Sequence, residues 1–259
     1  MNEYDTLVVE RSGPIRRITL NRPDAANAMN DALTRELADA ARHCDDATTK
    51  VVVLTGAGRF FSAGGDLKSI ASSDSPGRYV KGIADDLHRA LSTFARMDAV
   101  LITAVNGVAA GAGFSLAITG DLVVAAENAS FTMAYTAAGL SPDGSSSFYL
   151  PRLVGVRRAQ ELMLTNRKLS AAEALQWGLV TEVVDGAELP ARVDALAQQI
   201  ASGAKQSGSA VKKLLLASSK NSLEEQMEWE GRLIAECADS PDGAEGMNAF
   251  LQKRRPEFA

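Results

Sequence analysis

Apolar residues in the first half of the chain alternate between two spacings, one typical of strands and the other of helices. Runs at 7–9, 15–20, 51–54 and 100–105 are strand-like, and a Ser-Gly-Pro turn between the first two predicts a hairpin. Apolar residues at helical spacing predict helices over 30–43 and 80–94. The order of these segments favours an α/β fold.

The pattern changes in the second half of the chain. From about residue 155 onward it is mainly helical, and the segments beginning at Ser170 and Ser222 match the capping box, in which a Ser and a Glu satisfy each other's backbone N–H groups. A polar, serine-rich stretch at 68–78 is predicted to be a mobile loop. We therefore predict an α/β core over residues 1–195 and a helical region over 196–259.

Composition and charge narrow the class of protein. The 259 residues carry a net charge of −5, which argues against non-specific binding of nucleic acid. The two cysteines, Cys44 and Cys237, show no CxxC spacing, which fits a reduced, cytoplasmic setting. An uncharged stretch at 99–120 is long enough to span a bilayer, but internal glycines favour a buried strand, turn and helix. We expect a soluble protein that binds neither nucleic acid nor membrane.

Two glycine-rich turns are the first candidates for chemistry. They lie at 61–67 and 106–114, and each follows a strand-like run and precedes a predicted helix. Free backbone N–H groups at such turns bind an anion or oxyanion without a special side chain. Two turns therefore suggest a pair of donors aimed at one carbonyl oxygen. The alternative, which composition alone favours, is that the glycines only permit close packing of strand and helix.

Other motifs exclude some functions and leave others open. Neither Gly56-Ala57-Gly58 nor Gly111-Ala112-Gly113 is followed by the third glycine of a dinucleotide fingerprint, and the sequence has no Walker lysine and no Gly-x-Ser-x-Gly elbow. His43 and His88, the only histidines, lie far apart without carboxylates at ligand spacing, so we expect no metal site. Each of three other residues has an ordinary structural explanation when taken singly. Asp143 is explained as a turn residue, His88 as a residue on the flank of a helix and Tyr135 as a packing aromatic.

Taken together, these segments resemble the crotonase, or enoyl-CoA hydratase/isomerase, superfamily over nearly the whole chain. The motifs that carry the resemblance are NRP at 21–23, NAM at 27–29, FSAGGDL at 61–67, the segment 105–113, GLSPD at 139–143, LPRLVG at 150–155, AEALQWGLV at 172–180 and FLQKRRPEF at 250–258. The resemblance implies a spiral of β-β-α repeats with a C-terminal helical trimerisation region. It also implies an acyl-CoA substrate, no cofactor other than the coenzyme A of that thioester, and a homotrimer or dimer of trimers.

The resemblance assigns roles to individual residues. The N–H groups of Ala63 and Ala112 match the two donors of an oxyanion hole, which would stabilise charge on the thioester oxygen. The residues that the resemblance implies for substrate binding are Ala25, Ala26, Gly64, Gly65, Asp66, Leu67, Tyr135, Phe250 and Lys253, and the last two reach coenzyme A from the C-terminal helix. Residues 68–88 are expected to shape the acyl pocket.

Departures from the family pattern bear on the reaction type. Hydratases of this family carry two glutamates where this chain has Ser115 and Tyr135, so a two-glutamate hydratase is disfavoured. Asp143 matches the catalytic aspartate of the family's isomerases. The resemblance thus favours an isomerase, in which Asp143 moves a proton between two carbons and the oxyanion hole holds the enolate.

Two alternatives stay open. The aryl-CoA dehalogenases of this family place a nucleophilic aspartate at the position of Asp143 and a water-activating histidine at that of His88, so an Asp-nucleophile dehalogenase or hydrolase is the first. Tyr135 stands where the dehalogenase has a ring-clamping tryptophan, which weakens this match. The second alternative is a weakly catalytic or non-catalytic acyl-CoA-binding protein.

Overall fold

Two β-sheets and eleven α-helices make up residues 4–259, which a computed structural model of the protein describes. The strands are β1 (Leu7–Ser12), β2 (Ile15–Leu20), β3 (Val51–Gly56), β4 (Phe60–Ser62), β5 (Val100–Val105), β6 (Val108–Ala110), β7 (Leu122–Ala126), β8 (Ser130–Thr132), β9 (Leu169–Ser170) and β10 (Glu182–Val184). The helices are α1 (Asp31–Cys44), α2 (Leu67–Ala71), α3 (Pro76–Arg96), α4 (Ala112–Ala117), α5 (Ser146–Val154), α6 (Val156–Thr165), α7 (Ala171–Gln176), α8 (Leu189–Ala201), α9 (Lys205–Ser218), α10 (Leu223–Asp239) and α11 (Pro241–Leu251).

Successive strands divide between the two sheets. The large sheet has the order β1-β2-β3-β5-β7-β10 and the small sheet the order β4-β6-β8-β9. Each of β3, β5 and β7 is followed in sequence by a strand of the small sheet, and most pairings are parallel. This recurrence confirms the spiral of β-β-α repeats. The predicted hairpin is also confirmed, since β1 and β2 pair antiparallel from Leu7↔Leu20 to Ser12↔Ile15.

Two glycines allow the chain to cross from one sheet to the other. A Cβ atom on Gly107, between β5 and β6, would lie 2.0 Å from the carbonyl oxygen of Arg59. A Cβ atom on Gly56, at the end of β3, would lie 2.4 Å from the carbonyl oxygen of Phe60. Since backbone atoms cannot give way at such distances, both crossings require a residue without a side chain.

The large sheet is covered on both faces, which explains its continuous apolar strands. On one face Leu189, Val193 and Ala197 of α8 pack against the strands. On the other face lie α1, α3 and the small sheet, which together form the main core. The helix predicted over 30–43 is α1, and its N-terminus is capped by Asn30 Oδ1, which accepts from the Leu33 amide at 3.0 Å.

The stretch predicted to be a mobile loop is largely helical, so that prediction is wrong. Asp66 Oδ1 accepts from the Ser69 amide at 3.2 Å and caps α2, which occupies the start of the stretch. Pro76, whose fixed φ suits the first position of a helix, begins α3 inside it. The helical second half is also interrupted by two short strands, β9 and β10, and β10 extends the large sheet beside β7.

Both predicted capping boxes are present, at Ser170 before α7 and at Ser222 before α10. Helix α8 runs through the predicted domain boundary at residue 196 and packs on the large sheet.

Among the described residues, none of the helices has the length and apolar character needed to cross a bilayer. Within residues 4–259 there is also no group of three or more His, Cys, Asp or Glu side chains placed to hold a metal ion.

Candidate active site

The two glycine-rich turns meet at one end of the small sheet. Strand β4 overlaps the start of the first turn and β6 lies within the second, and these strands pair in parallel with Ser62 beside Ala109. A Cβ atom on Gly64 would lie 2.6 Å from the carbonyl oxygen of Ala110 and 3.1 Å from the amide nitrogen of Ala112. Gly64 also has a φ of +91°, which side chains disfavour. A glycine is therefore what brings the two turns into contact.

The amide of Ala63 is already occupied. Its N–H donates to the carbonyl oxygen of Ala26 at 2.9 Å, and this bond ties the segment before α1 to the end of β4. Because one amide has one hydrogen to donate, Ala63 does not offer it to a ligand. The structure thus corrects the assignment of Ala63 as an oxyanion donor.

Two nearby amides are unoccupied. Gly65 forms a parallel bridge with Met29, in which the Gly64 carbonyl accepts from the Met29 amide and the Asp66 amide donates to the Met29 carbonyl. The N–H of Gly65 therefore has no partner among the described residues. Ala112 is the first residue of α4, and the N–H of a first helical residue has no acceptor within the helix. It too has no partner in residues 4–259. Both residues line one cavity.

This cavity, here called the main cavity, has a volume of about 380 Å³. Most of its wall is aliphatic and comes from α2, α3 and the loop before α5. Apolar side chains in the wall include Met29, Leu67, Ile70, Val80, Ile83, Leu87 and Leu140. Ile70, Val80, Ile83 and Leu87 fall within 68–88, so the stretch expected to shape a pocket does line one. The cavity suits an apolar group joined to a polar one.

Asp143 supplies the one carboxylate among the described residues that line the main cavity. Three hydroxyls lie within hydrogen-bond distance of its own carbonyl oxygen: Ser115 Oγ at 2.8 Å, Ser146 Oγ at 2.9 Å and Tyr135 Oη at 3.2 Å. Gly144, which follows, has a φ of +62° and packs against Ser115 so closely that a Cβ atom would lie 2.8 Å from that residue's Cβ. The backbone at Asp143 is therefore fixed in position.

Ser115 and Tyr135 form a buried hydroxyl pair. Ser115 Oγ lies 3.0 Å from Tyr135 Oη, beneath the loop that carries Asp143. Burial raises the pKa of Tyr135 well above its ordinary value, although the hydrogen bond with Ser115 opposes this, and the nearby charge of Asp143 raises it further. The phenol therefore keeps its proton, and neither hydroxyl is suited to activating water.

His88 contacts Asp143 from the side of α3. Its Nε2 atom lies 2.7 Å from Asp143 Oδ1. The imidazole does not belong to the wall of the main cavity, although Leu87, the residue before it, does. His88 is thus placed to act on Asp143 rather than directly on a molecule in the cavity. The two positions that the resemblance matches to the dehalogenases are thus in contact in the fold.

Asp66 has a structural partner. It caps α2 and accepts from the guanidinium of Arg22, 3.1 Å away. Burial opposes ionisation of this carboxyl, but the Ser69 amide and Arg22 together lower its pKa. The carboxylate therefore holds the start of α2 against the segment before α1.

The other residues expected to bind substrate are dispersed. Leu67 and Gly65 line the main cavity, whereas Ala25 and Ala26 lie in and just after a short 3-10 helix outside its wall. Phe250, which is 83% exposed, and Lys253 lie at the end of α11 and just beyond it, and they do not line the main cavity. Within this single chain the C-terminal positions are not brought to the site.

The Gly65 amide was missed as a free donor by sequence reasoning. Which N–H of a turn stays free depends on the bridge between Gly65 and Met29, two residues that lie 36 positions apart in the sequence. The glycine motif identifies the turn, but it does not indicate which of its amides is free.

The sequence matches the model of the Enoyl-CoA hydratase/isomerase family over residues 10–259. The chain belongs to this family. It is 38% identical to a "Probable enoyl-CoA hydratase" of Rhodobacter capsulatus, with 98% of each chain covered. It is 37% identical to the 1,2-epoxyphenylacetyl-CoA isomerase of Escherichia coli, over 100% of this chain and 99% of that one. It is 36% identical to the carnitinyl-CoA dehydratase of Salmonella typhi, with 97% of each covered.

Solved structures of this family have the same fold. A Geobacillus kaustophilus enoyl-CoA hydratase subunit matches with a TM-score of 0.92 at 32% identity, over 100% of this chain and 99% of that one. The enoyl-CoA hydratase of Bacillus anthracis matches with a TM-score of 0.93 at 32% identity, over 98% and 99%. The crotonase fold is thus established, and this enoyl-CoA hydratase/isomerase family member is an acyl-CoA enzyme. Its relatives are named as both hydratases and isomerases.

Proposed function

We propose that this family member is an isomerase that shifts a double bond of an acyl-CoA by proton transfer through Asp143. The observation that carries the proposal is the composition of the main cavity. The unoccupied amides of Gly65 and Ala112 lie in the cavity wall. Among the described residues that line this wall, Asp143 is the one that carries a carboxylate. The substrate is an enoyl-CoA with its acyl chain in the main cavity.

The proposed reaction begins with removal of a proton from carbon. The Asp143 carboxylate accepts a proton from C2 of a 3-enoyl-CoA, and the electron pair moves into the thioester carbonyl to form an enolate. The amides of Gly65 and Ala112 donate to the enolate oxygen, where each such donor typically contributes about 3–4 kcal/mol. Asp143 then returns a proton to C4 as the double bond forms between C2 and C3.

The residues around Asp143 support this role over hydration. Adding water across a double bond needs one group to activate water and another to protonate carbon. Ser115 and Tyr135 are instead bound to each other and to the Asp143 carbonyl. A single carboxylate is sufficient for a proton shift, in which the same group acts first as base and then as acid.

The variant Asp143→Asn tests this proposal. Because an amide cannot accept the C2 proton, we expect kcat for 3-hexenoyl-CoA to fall about 10²- to 10⁴-fold, measured by the formation of the conjugated 2-enoyl thioester. Asp45→Asn is the matched control, since Asp45 is exposed and lies outside the cavity wall. Full isomerase activity in Asp143→Asn would contradict the proposal, and so would hydration of crotonyl-CoA that survives in it.

The contact between His88 and Asp143 favours one second candidate, an aryl-CoA dehalogenase or hydrolase. In that reaction an Asp143 oxygen attacks the ring carbon, halide leaves, and water activated by His88 hydrolyses the resulting ester. Chloride released from 4-chlorobenzoyl-CoA by the wild type, and not by Asp143→Asn, would support this candidate. Binding of both thioesters without turnover would instead support an acyl-CoA-binding protein.

A further inference from the structure

A second cavity lies on the other side of the His88–Asp143 pair. This cavity, here called the side cavity, has a volume of about 340 Å³ and shares no wall residue with the main cavity. Helix α3 contributes to both walls, with Leu87 in the main cavity and His88 in the side cavity. The loop before α5 does the same, with Asp143 in the main cavity and Ser145 in the side cavity.

The hydrogen bond between His88 and Asp143 therefore joins two separate spaces. The Nε2 atom of His88 is 2.7 Å from Asp143 Oδ1, and the other ring nitrogen, Nδ1, has no hydrogen-bond partner among the described residues. The imidazole is about half exposed. One end of the ring thus contacts the carboxylate, and the other is left for water.

The side cavity suits water. Polar side chains in its wall come from Ser92, Arg96, Ser145 and Lys220, and a space of this size holds several water molecules. These groups can hydrogen-bond water beside the imidazole. Water in the side cavity can therefore exchange a proton with His88.

We propose that His88 relays protons between Asp143 and water in the side cavity, so that the proton Asp143 takes from the substrate is exchanged with solvent before one is returned. This inference rests on the proposed isomerase function. It assigns His88 a positioning and relay role, since the imidazole acts through Asp143 and does not line the main cavity.

In one turnover the relay gives one proton to water and takes one proton back. The Asp143 carboxyl, holding the substrate proton, passes it to Nε2 of an imidazole protonated on Nδ1, and Nδ1 releases its proton to water. The carboxylate is restored, and the imidazole remains neutral as the other tautomer. The reverse path carries a solvent proton through Nδ1 and Nε2 to Asp143, which delivers it to C4.

A deuterium-labelled substrate tests the relay. We propose 3-hexenoyl-CoA carrying two deuterium atoms at C2, converted in ordinary water and analysed by mass spectrometry early in the reaction. One deuterium stays at C2, and the fate of the other reports on exchange. In the wild type we expect it to be lost to solvent, because His88 connects Asp143 with the side cavity.

His88→Gln separates the relay from simple positioning. Its side-chain amide can still hydrogen-bond with Asp143 Oδ1 as donor or acceptor but cannot pass a proton through. We expect kcat to stay within about tenfold of the wild type, whereas the fraction of product with deuterium at C4 rises several-fold. His43→Gln, which changes the other histidine, whose exposed side chain lies near the end of α1, is the matched control and should behave as wild type.

The outcomes distinguish this inference from the proposed function. Equal retention of deuterium at C4 in the wild type and His88→Gln would overturn the relay while leaving Asp143 as the base. A wild-type enzyme that does not isomerise the substrate would overturn both. Higher retention confined to His88→Gln would support the relay.

Discussion

Three hydroxyl groups converge on a single backbone atom in this molecule, the carbonyl oxygen of Asp143. Ser146 donates to it, and so does either Ser115 or Tyr135, while the other member of that pair donates to its neighbour's hydroxyl oxygen. A carbonyl oxygen has two lone pairs, so two donors saturate it and hold the peptide in one orientation. Gly144 completes the arrangement by allowing the loop to pack on Ser115. The hydroxyls of Ser115 and Tyr135 thus serve to hold the loop that carries the Asp143 carboxylate.

The amide of Ala112 provides a prediction at the scale of one atom. The variant Ala112→Pro removes this N–H, and proline is well tolerated at the first position of a helix. We expect kcat for 3-hexenoyl-CoA to fall about 10²- to 10³-fold, because a donor to the enolate is lost. The melting temperature should change little, because this amide makes no hydrogen bond within the fold of residues 4–259.

The comparison with Ala63→Pro makes this prediction sharper. The Ala63 amide donates to Ala26, so its removal breaks a hydrogen bond of the fold. We expect Ala63→Pro to lower the melting temperature measured by circular dichroism, whereas Ala112→Pro should not. Unchanged turnover in Ala112→Pro would show that this amide does not contact the developing charge.

At the scale of elements, one buried lysine attaches the C-terminal helices to the core. Lys212 of α9, whose side chain is 5% exposed, forms an ion pair with Asp121 Oδ2 at 2.9 Å. Its Nζ also donates to the carbonyl oxygens of Phe94 at 2.9 Å and Ala99 at 2.6 Å. These carbonyls lie near the end of α3 and just before β5, so the lysine joins three elements that are distant in sequence.

Replacing this lysine is expected to destabilise the whole chain. Lys212→Met leaves the partly exposed Asp121 carboxylate and two carbonyl oxygens without this donor, and losing such a partner typically costs about 1–3 kcal/mol. The free energy of unfolding in urea measures the loss. Asp121→Asn combined with Lys212→Met should recover part of it, and no recovery in the double variant would count against the ion pair as the cause.

The same variant should depend on pH in a defined direction. Burial already raises the pKa of Asp121, with Lys212 opposing the rise, so removing the lysine raises it further. A carboxyl whose pKa is raised in the folded state destabilises the fold while it is ionised. This destabilisation disappears as the pH falls and the carboxyl takes up a proton. The deficit of Lys212→Met should therefore shrink as the pH falls, and a deficit that grows toward acid would contradict this explanation.

The elements that the sequence predicts well are those whose signals are local. The stripe of α1 and the capping boxes before α7 and α10 follow from residues a few positions apart. Helix α2 was missed because its five residues are too few to show an apolar period. The free amide of Gly65 was missed for a different reason, since the bridge to Met29 decides which amide is free. Tertiary contacts thus determine what the local pattern leaves open.

At the scale of the whole molecule, the C-terminal helices expose many apolar side chains. Leu215, Leu223, Ile234, Phe250 and Leu251 are each more than two-thirds exposed in the single chain. They belong to α9, α10 and α11, and such a concentration of exposed apolar surface is typical of an interface. This distribution supports the trimerisation implied by the family, in which Phe250 and Lys253 would meet a neighbouring copy and not their own main cavity.

We therefore predict that the protein forms a homotrimer or a dimer of trimers. Light scattering coupled to size-exclusion chromatography should give a mass of about three or six times the 27.3 kDa of one chain. Because burial of apolar surface is not screened by ions, the mass should persist in 1 M salt, whereas an assembly held by surface ion pairs would dissociate. A 27.3 kDa species at micromolar concentration would contradict the prediction, and with it any role for a neighbour's Phe250 and Lys253 at the active site.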